Sequence, residues 1–317
     1  MDRLKYNEKA SLLNNMASHK PVYIALIVVS WLFYIGAIIA GTSTRFIYEA
    51  ADAKNETKNV TYDDTLINPA PWTFGVVWSI IFLYQGIWII YVTASIFRRG
   101  KITKSYVYTM EGICPPLTYV FFILGCAGAI VWSVVFVYEI LLPNLFPLLF
   151  AWFSLYAALI ICYRDSENHF LNVVKDGLLV DVVLVRAFIH NGLATFATWV
   201  TLAFFVQLSV VLKYVTMADE LVSSIVILAV ILVLLIVWFA FNNFVFPKFC
   251  QFTFTPYFVV LLATAGIITD GFDTSNAALL FALVILIVDI VLLIVTIVLV
   301  VRRFKSKSLV GLAVPRI

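Results

Sequence analysis

Eight stretches of this chain are each apolar for most of a membrane's width: Val22–Ala40, Trp72–Phe97, Leu117–Ile140, Phe146–Cys162, Leu178–Phe205, Leu221–Phe241, Pro256–Thr269 and Ala277–Val301. A helix needs about 20 such residues to cross a hydrocarbon core about 30 Å thick. The seventh stretch is short for that task. The fifth is overlong, because apolar character continues to Leu212. Backbone polar groups have no water to bond in a bilayer, so runs of this kind fold as helices packed on one another. The expectation is an all-α polytopic bundle of about eight spans. Only 12% of the residues are charged and 63% are hydrophobic, against about 25% charged in soluble domains. This balance excludes a disordered chain, a nucleic-acid binder and a secreted disulfide scaffold.

Orientation follows from the basic residues. With the N-terminus in the cytoplasm, 16 of the 21 Lys and Arg fall on the cytoplasmic side, 4 on the other, and Arg186 inside a span. Such a bias marks the cytoplasmic face. The loop 41–71 carries two sequons, Asn55-Glu56-Thr57 and Asn59-Val60-Thr61, on the side where glycosylation occurs. The first span has no cleavage motif after it, so it is expected to remain as a signal-anchor. The secretory pathway or plasma membrane is therefore expected. Cys114, Cys126, Cys162 and Cys250 form no disulfide pattern and are expected as small buried hydrophobes. Three His without CxxC or HExxH give a metal little to bind.

Charges within spans are costly and point to function unless packing explains them. Arg186 lies about eight residues into the fifth span, Asp289 is at the midpoint of the eighth, and His190 is one turn after Arg186. They can form a polar cluster along an aqueous path, or a buried ion pair that fixes helix packing. Asp181 is about 140° from Arg186 around the helix and a poor partner for it. Asp176 and Glu111 are expected at the cytoplasmic mouth, in water. In the second span Trp78, Phe82 and Gln85 follow a helical stripe, with Trp72 and Tyr91 near its ends. Such a stripe serves packing as well as ligand binding; the buried amide needs a partner either way. Gly125, Gly128, Ala129 and Ser133 let a neighbouring helix approach the third span. No nucleophile, base or metal set is arranged for catalysis, so no enzyme is expected.

The segment Pro69-Ala70-Pro71-Trp72-Thr73-Phe74-Gly75-Val76-Val77-Trp78 resembles the Pro-Pro-x-Trp-x-Phe-x-Pro-Val-Trp signature of the tryptophan-rich sensory protein/translocator protein (TspO/MBR) family. The run Arg186–Thr198 is similar to that family's fifth helix, with the helix's usual Trp displaced to Trp199 and Leu193 in its place. The resemblance spans roughly Val22–Leu212. It implies a TspO-like five-helix core (22–215) after a cytoplasmic segment (1–21). Three further helices (216–303) and a cytoplasmic tail (304–317) then follow. It also implies a pocket for a flat, largely apolar ligand of the porphyrin or sterol class. Trp72, Phe74 and Trp78 of the second span and Ala194, Thr195 and Ala197 of the fifth would be wall positions, joined by Phe82 and Gln85. Binding or sensing such a ligand is the first reading. The alternative is a transporter or channel using Arg186, His190 and Asp289. Beyond lipid and such a ligand no partner is implied, and self-association is left open. The topology is checked by glycosidase treatment: a mobility shift lost in Asn55→Gln/Asn59→Gln is expected, and an unshifted band contradicts the assigned orientation.

Overall fold

The computed structural model describes residues 18–53, 65–138, 140–271, 273 and 275–311, with backbone alone for 44–53 and 306–311. The sequons at Asn55 and Asn59 lie outside the described residues. Everything described is helix, turn or loop apart from one isolated bridge, Arg99 to Tyr106. The helices are α1 (Pro21–Ala53), α2 (Pro71–Ser95), α3 (Pro116–Val137), α4 (Leu145–Lys175), α5 (Leu179–Tyr214), α6 (Glu220–Val245), α7 (Pro247–Cys250), α8 (Thr255–Thr269) and α9 (Ala277–Gly311). Seven are long and apolar enough to cross a membrane, and α8 is a shorter apolar helix.

The eight apolar stretches thus become α1–α6, α8 and α9, with different ends. Proline sets several starts: Pro71, Pro116 and Pro256 occupy the first turn of α2, α3 and α8, where a missing N–H costs nothing. The fourth apolar run stops at Cys162, yet α4 continues to Lys175. The extension carries Asp165, Glu167 and His169, which bond one another or neighbouring segments. Small residues set the α3–α4 contact. A Cβ on Gly125 would lie 2.6 Å from Leu155, and one on Gly128 would lie 2.8 Å from the Pro147 carbonyl.

Several charges lie elsewhere than the sequence suggests. Asp176 is buried rather than solvated. It accepts hydrogen bonds from the Ile102 and Thr103 N–H groups (2.6 and 2.8 Å) and from the Thr103 hydroxyl (2.8 Å), pinning the 98–106 turn. Burial works against its charge, but the bonds from Thr103 and Ile102 outweigh it and hold the carboxyl below its ordinary pKa. Asp181 pairs with Arg98 in a two-pronged bridge (2.7 and 2.9 Å) and accepts from the Tyr91 hydroxyl. All four cysteines are free and buried.

Two helices change pitch inside the bundle. Val185–His190 in α5 and Phe241–Val245 in α6 are π-helical, and such turns leave backbone carbonyls unmatched. Asparagines follow or occupy both. Asn191 donates to the carbonyls of Arg186 (2.8 Å) and Phe252 (2.9 Å), and its own side-chain oxygen accepts from the N–H groups of Phe254 and Thr255. Asn242 donates to the carbonyls of Cys250 (2.9 Å) and Thr253 (3.0 Å). Asn243 bonds Thr296 on α9 (2.8 Å), and Arg303 caps the Asn243 carbonyl. The non-helical segment between α7 and α8 is thereby satisfied by side chains from α5 and α6, as irregular backbone within a membrane protein must be.

Asn191→Leu is expected to strip partners from four backbone groups at once. At about 1 kcal/mol or more for each buried group left unpaired, thermal unfolding in detergent should fall well below wild type, with hydrogen exchange rising at Phe252–Thr255. Wild-type stability and exchange in this variant would contradict the clamp.

Candidate functional site

Two helices of the bundle carry the same spacing of inward residues. On α2 these are Pro71, Phe74, Gly75, Trp78, Ser79 and Phe82; on α5 they are Trp199, Leu202, Ala203, Val206, Gln207 and Val210. Both sets fall at i, i+3, i+4, i+7, i+8 and i+11, one face of a straight α-helix. Between the two faces lies a cavity of about 460 Å³, within the range of about 300–1,000 Å³ typical of small-molecule sites. Trp132, Ser133 and Phe136 of α3 close it on a further side, with Gly41 and Thr42 of α1. Leu228 and Ile231 of α6 and Val260, Ala263, Thr264 and Ile267 of α8 complete it. The C-terminal helices are therefore part of the wall, which a five-helix pocket would not include.

The aromatic groups are held by one another. Trp78 stacks on Phe82 (centroids 5.3 Å apart, 27°) and meets Phe196 and Trp199 edge-on at 6.0 and 6.5 Å. Phe74 meets Trp199 at 5.6 Å and 79°. These edge-to-face arrangements are favoured by the ring quadrupoles, and they fix flat faces around the cavity. None of the described lining residues is charged, and none is His or Cys. The hydroxyls of Thr42, Ser79 and Thr264 are spent on carbonyls of their own helices (2.8, 2.7 and 2.8 Å). The remaining polar side chains on the wall, Asn68, Ser133 and Gln207, lie toward the end of the bundle where the 65–70 segment sits; Gln207 donates to the Leu141 carbonyl there (3.3 Å). The other end of the cavity is bounded by Phe82, Trp199, Ile231 and Val260. Such a space takes a rigid apolar body with at most a small polar end.

Of the residues singled out in the sequence, Phe74, Trp78 and Phe82 line this cavity. Trp72 lies at the start of α2, its indole N–H donating to Thr269 (3.0 Å). Gln85 is buried one turn beyond Phe82, where it donates to the Gly192 carbonyl (2.9 Å) and accepts from the Trp88 indole (2.6 Å). It joins α2 to α5 rather than facing the cavity. Ala194, Thr195 and Ala197 are buried in helix packing, with the Thr195 hydroxyl on the Asn191 carbonyl. Trp199, Trp132 and Gln207 are lining residues the sequence reading did not select; the i, i+3, i+4 repeat running on from Trp199 is the signal that finds Trp199 and Gln207, while nothing local to α3 announces Trp132.

The intramembrane polar residues do not meet. Arg186 pairs with Glu167 on α4 (3.2 Å), and its guanidinium sits over the rings of Phe252 (4.8 Å) and Phe170 (5.1 Å). His190 contacts the Ser166 hydroxyl (3.2 Å) and the edge of Tyr163. Asp289 is fully buried on α9, and neither carboxylate oxygen has a hydrogen-bond partner among the described residues. Its place is on the buried stripe of Ala282, Ile285, Leu293 and Thr296. Among the described residues no group of three or more His, Cys, Asp or Glu is placed to hold a metal ion.

A family model described as TSPO-like protein matches residues 24–302, which takes in α9 as well as the first five helices. No curated protein and no solved structure matches the chain. An all-helical bundle, a Trp-rich entry to α2 and a match over most of its length lead to one statement: the chain belongs to the TSPO-like family.

Proposed function

We propose that this multi-span membrane protein binds a flat, largely apolar small molecule in the cavity between α2, α5 and α8, acting as a binding or sensing protein and not as an enzyme. The observation that carries the reading is the cavity itself: about 460 Å³ with Trp78, Phe82, Phe74 and Trp199 on its walls and no charge among the described lining residues. Aromatic faces with few, placed polar groups are what such ligands require. Of the two classes the family resemblance implies, an uncharged sterol-type molecule suits these walls better. Among the described lining residues a porphyrin's carboxylates would find no Lys or Arg, and its metal no His or Cys. The polar end of a sterol would face Asn68 and Gln207, with its rings against Trp78 and Trp199.

Transport remains the second reading, and it draws on one observation, the unpartnered carboxylate of Asp289. An Asp289→Asn variant in a proteoliposome flux assay tests it; unchanged flux, or none in wild type, counts against it.

The binding reading is tested with an intrinsically fluorescent sterol and a porphyrin, each titrated against the purified protein with energy transfer from tryptophan as the readout. Saturable sterol binding is expected, weakened about tenfold or more by Trp78→Ala and equally sensitive to Ile231→Trp, which fills the cavity from α6. Absence of saturable signal with either probe overturns the reading.

A further inference from the structure

The cavity is walled unevenly. Between α1 and α2 its border is made of Gly41 and Thr42 on one side and Gly75 and Ser79 on the other. Thr42 and Ser79, and Pro71 at the start of α2, line the cavity and are also exposed on the outside of the bundle. Residues that do both mark an opening. Below it the two helices are joined: the Tyr34 hydroxyl donates to the Phe82 carbonyl (2.9 Å), its ring meets Phe82 edge-on, and the Trp31 indole donates to Thr93 (3.0 Å). Gly86 admits that hydroxyl, since a Cβ there would lie 2.8 Å from it. Above Tyr34 the facing residues turn small, and the helices leave a slot.

The depth of the slot decides what it faces. Ser79 is eight residues beyond Pro71, about 12 Å along α2, while Thr42 is near the end of α1's apolar run, Pro21–Ser43; the slot is in the outer half of the bundle, its α2 side within a hydrocarbon core about 30 Å thick. Beside it the exposed residues of α2 are Val76, Leu83 and Ile90, and those of α1 are Leu32, Ile35 and Ile39; this surface suits acyl chains. The rim hydroxyls need no water, because Thr42 and Ser79 bond carbonyls of their own helices. The end of the cavity nearest the 65–70 segment is roofed instead. Ile67, Asn68 and Ala70 are buried there. The Ala70 N–H donates to the Gly266 carbonyl (3.1 Å) and the Leu66 N–H to Glu220 (3.0 Å), fixing the segment to α8 and α6.

We propose that the slot between α1 and α2 is the cavity's entrance, through which an uncharged, membrane-dissolved amphiphile passes sideways from the bilayer hydrocarbon. This rests on the binding reading above and adds the route and the phase from which the ligand comes. A lipophile already concentrated in the bilayer then needs no passage through water, and a molecule with a full charge meets no counter-charge among Gly41, Thr42, Gly75 and Ser79 on the rim.

The test uses proteoliposomes of the full chain carrying Thr42→Cys and Ser79→Cys, joined across the slot by a short, cleavable bifunctional thiol reagent; the four native cysteines are buried. Association and dissociation of the fluorescent sterol are followed before and after cleavage of the bridge. Both rates are expected to be at least tenfold slower with the bridge and to recover when it is cut, in the same folded protein. Independently, sterol-loaded donor vesicles mixed with sterol-free proteoliposomes of the unmodified protein present aqueous sterol before the acceptor bilayer fills, and association should follow the filling of the protein's own bilayer. Rates indifferent to the bridge, or rates that track the aqueous concentration, overturn the entrance while leaving binding intact. Absence of saturable binding in the unbridged protein overturns the binding reading itself.

Discussion

Buried backbone that leaves the helix must find its hydrogen bonds within the protein, and this bundle meets that demand with two asparagines. Asn191 and Asn242 hold the segment from Cys250 to Thr255 through its carbonyls and N–H groups. The consequence reaches the cavity. With its start fixed at Thr255, the 15-residue α8 spans about 22 Å, and its face of Val260, Ala263, Thr264 and Ile267 reaches the cavity. The same asparagine that satisfies the π-helical turn of α5 thus registers α8 against it. Above that turn α5 returns to regular α geometry, which gives the stripe from Trp199 to Val210 its even spacing.

The site is then a matter of which surfaces are polar and which are not. Trp78, Trp199 and their neighbours set flat faces, and hydroxyls that would otherwise demand water are turned onto their own helices. Charge is kept elsewhere. Arg186 is balanced by Glu167 and two aromatic rings, Asp181 by Arg98 and Tyr91, and Asp176 by the turn it pins. Among the described residues Asp289 is a buried carboxylate without a hydrogen-bond partner, and it lies outside the cavity wall.

Length and hydropathy alone made the spans legible, because crossing a hydrocarbon core is a local demand on consecutive residues. The α2 stripe through Trp78 and Phe82 was legible for a similar reason, since helical periodicity is written in spacing, while Phe74 came with the family resemblance. Gln85 continues the same stripe, yet it meets Gly192, and nothing local to α2 announces that contact. Partner choice among charges was beyond the sequence: Arg186 takes Glu167 because α4 continues as a helix past Cys162, where hydropathy has already ended. The π-helical turn Val185–His190 shifts the register of α5 by part of a turn, so angles counted along a regular helix misplace His190 and the residues after it. The closing of the cavity by α6 and α8 was hidden too, being set by side-chain clamps distant in the chain.

The central claim is that the space between Trp78, Trp199 and Ile231 holds a ligand. Photolabelling in membranes with a diazirine-bearing sterol, mapped by peptide mass spectrometry, addresses it most directly. The account predicts adducts on α2, α5, α6 and α8 at lining positions such as Phe82, Val206, Ile231 and Val260, displaced by excess unlabelled sterol. Adducts confined to lipid-facing residues such as Leu83 and Ile90, and undisplaced by competitor, would contradict it.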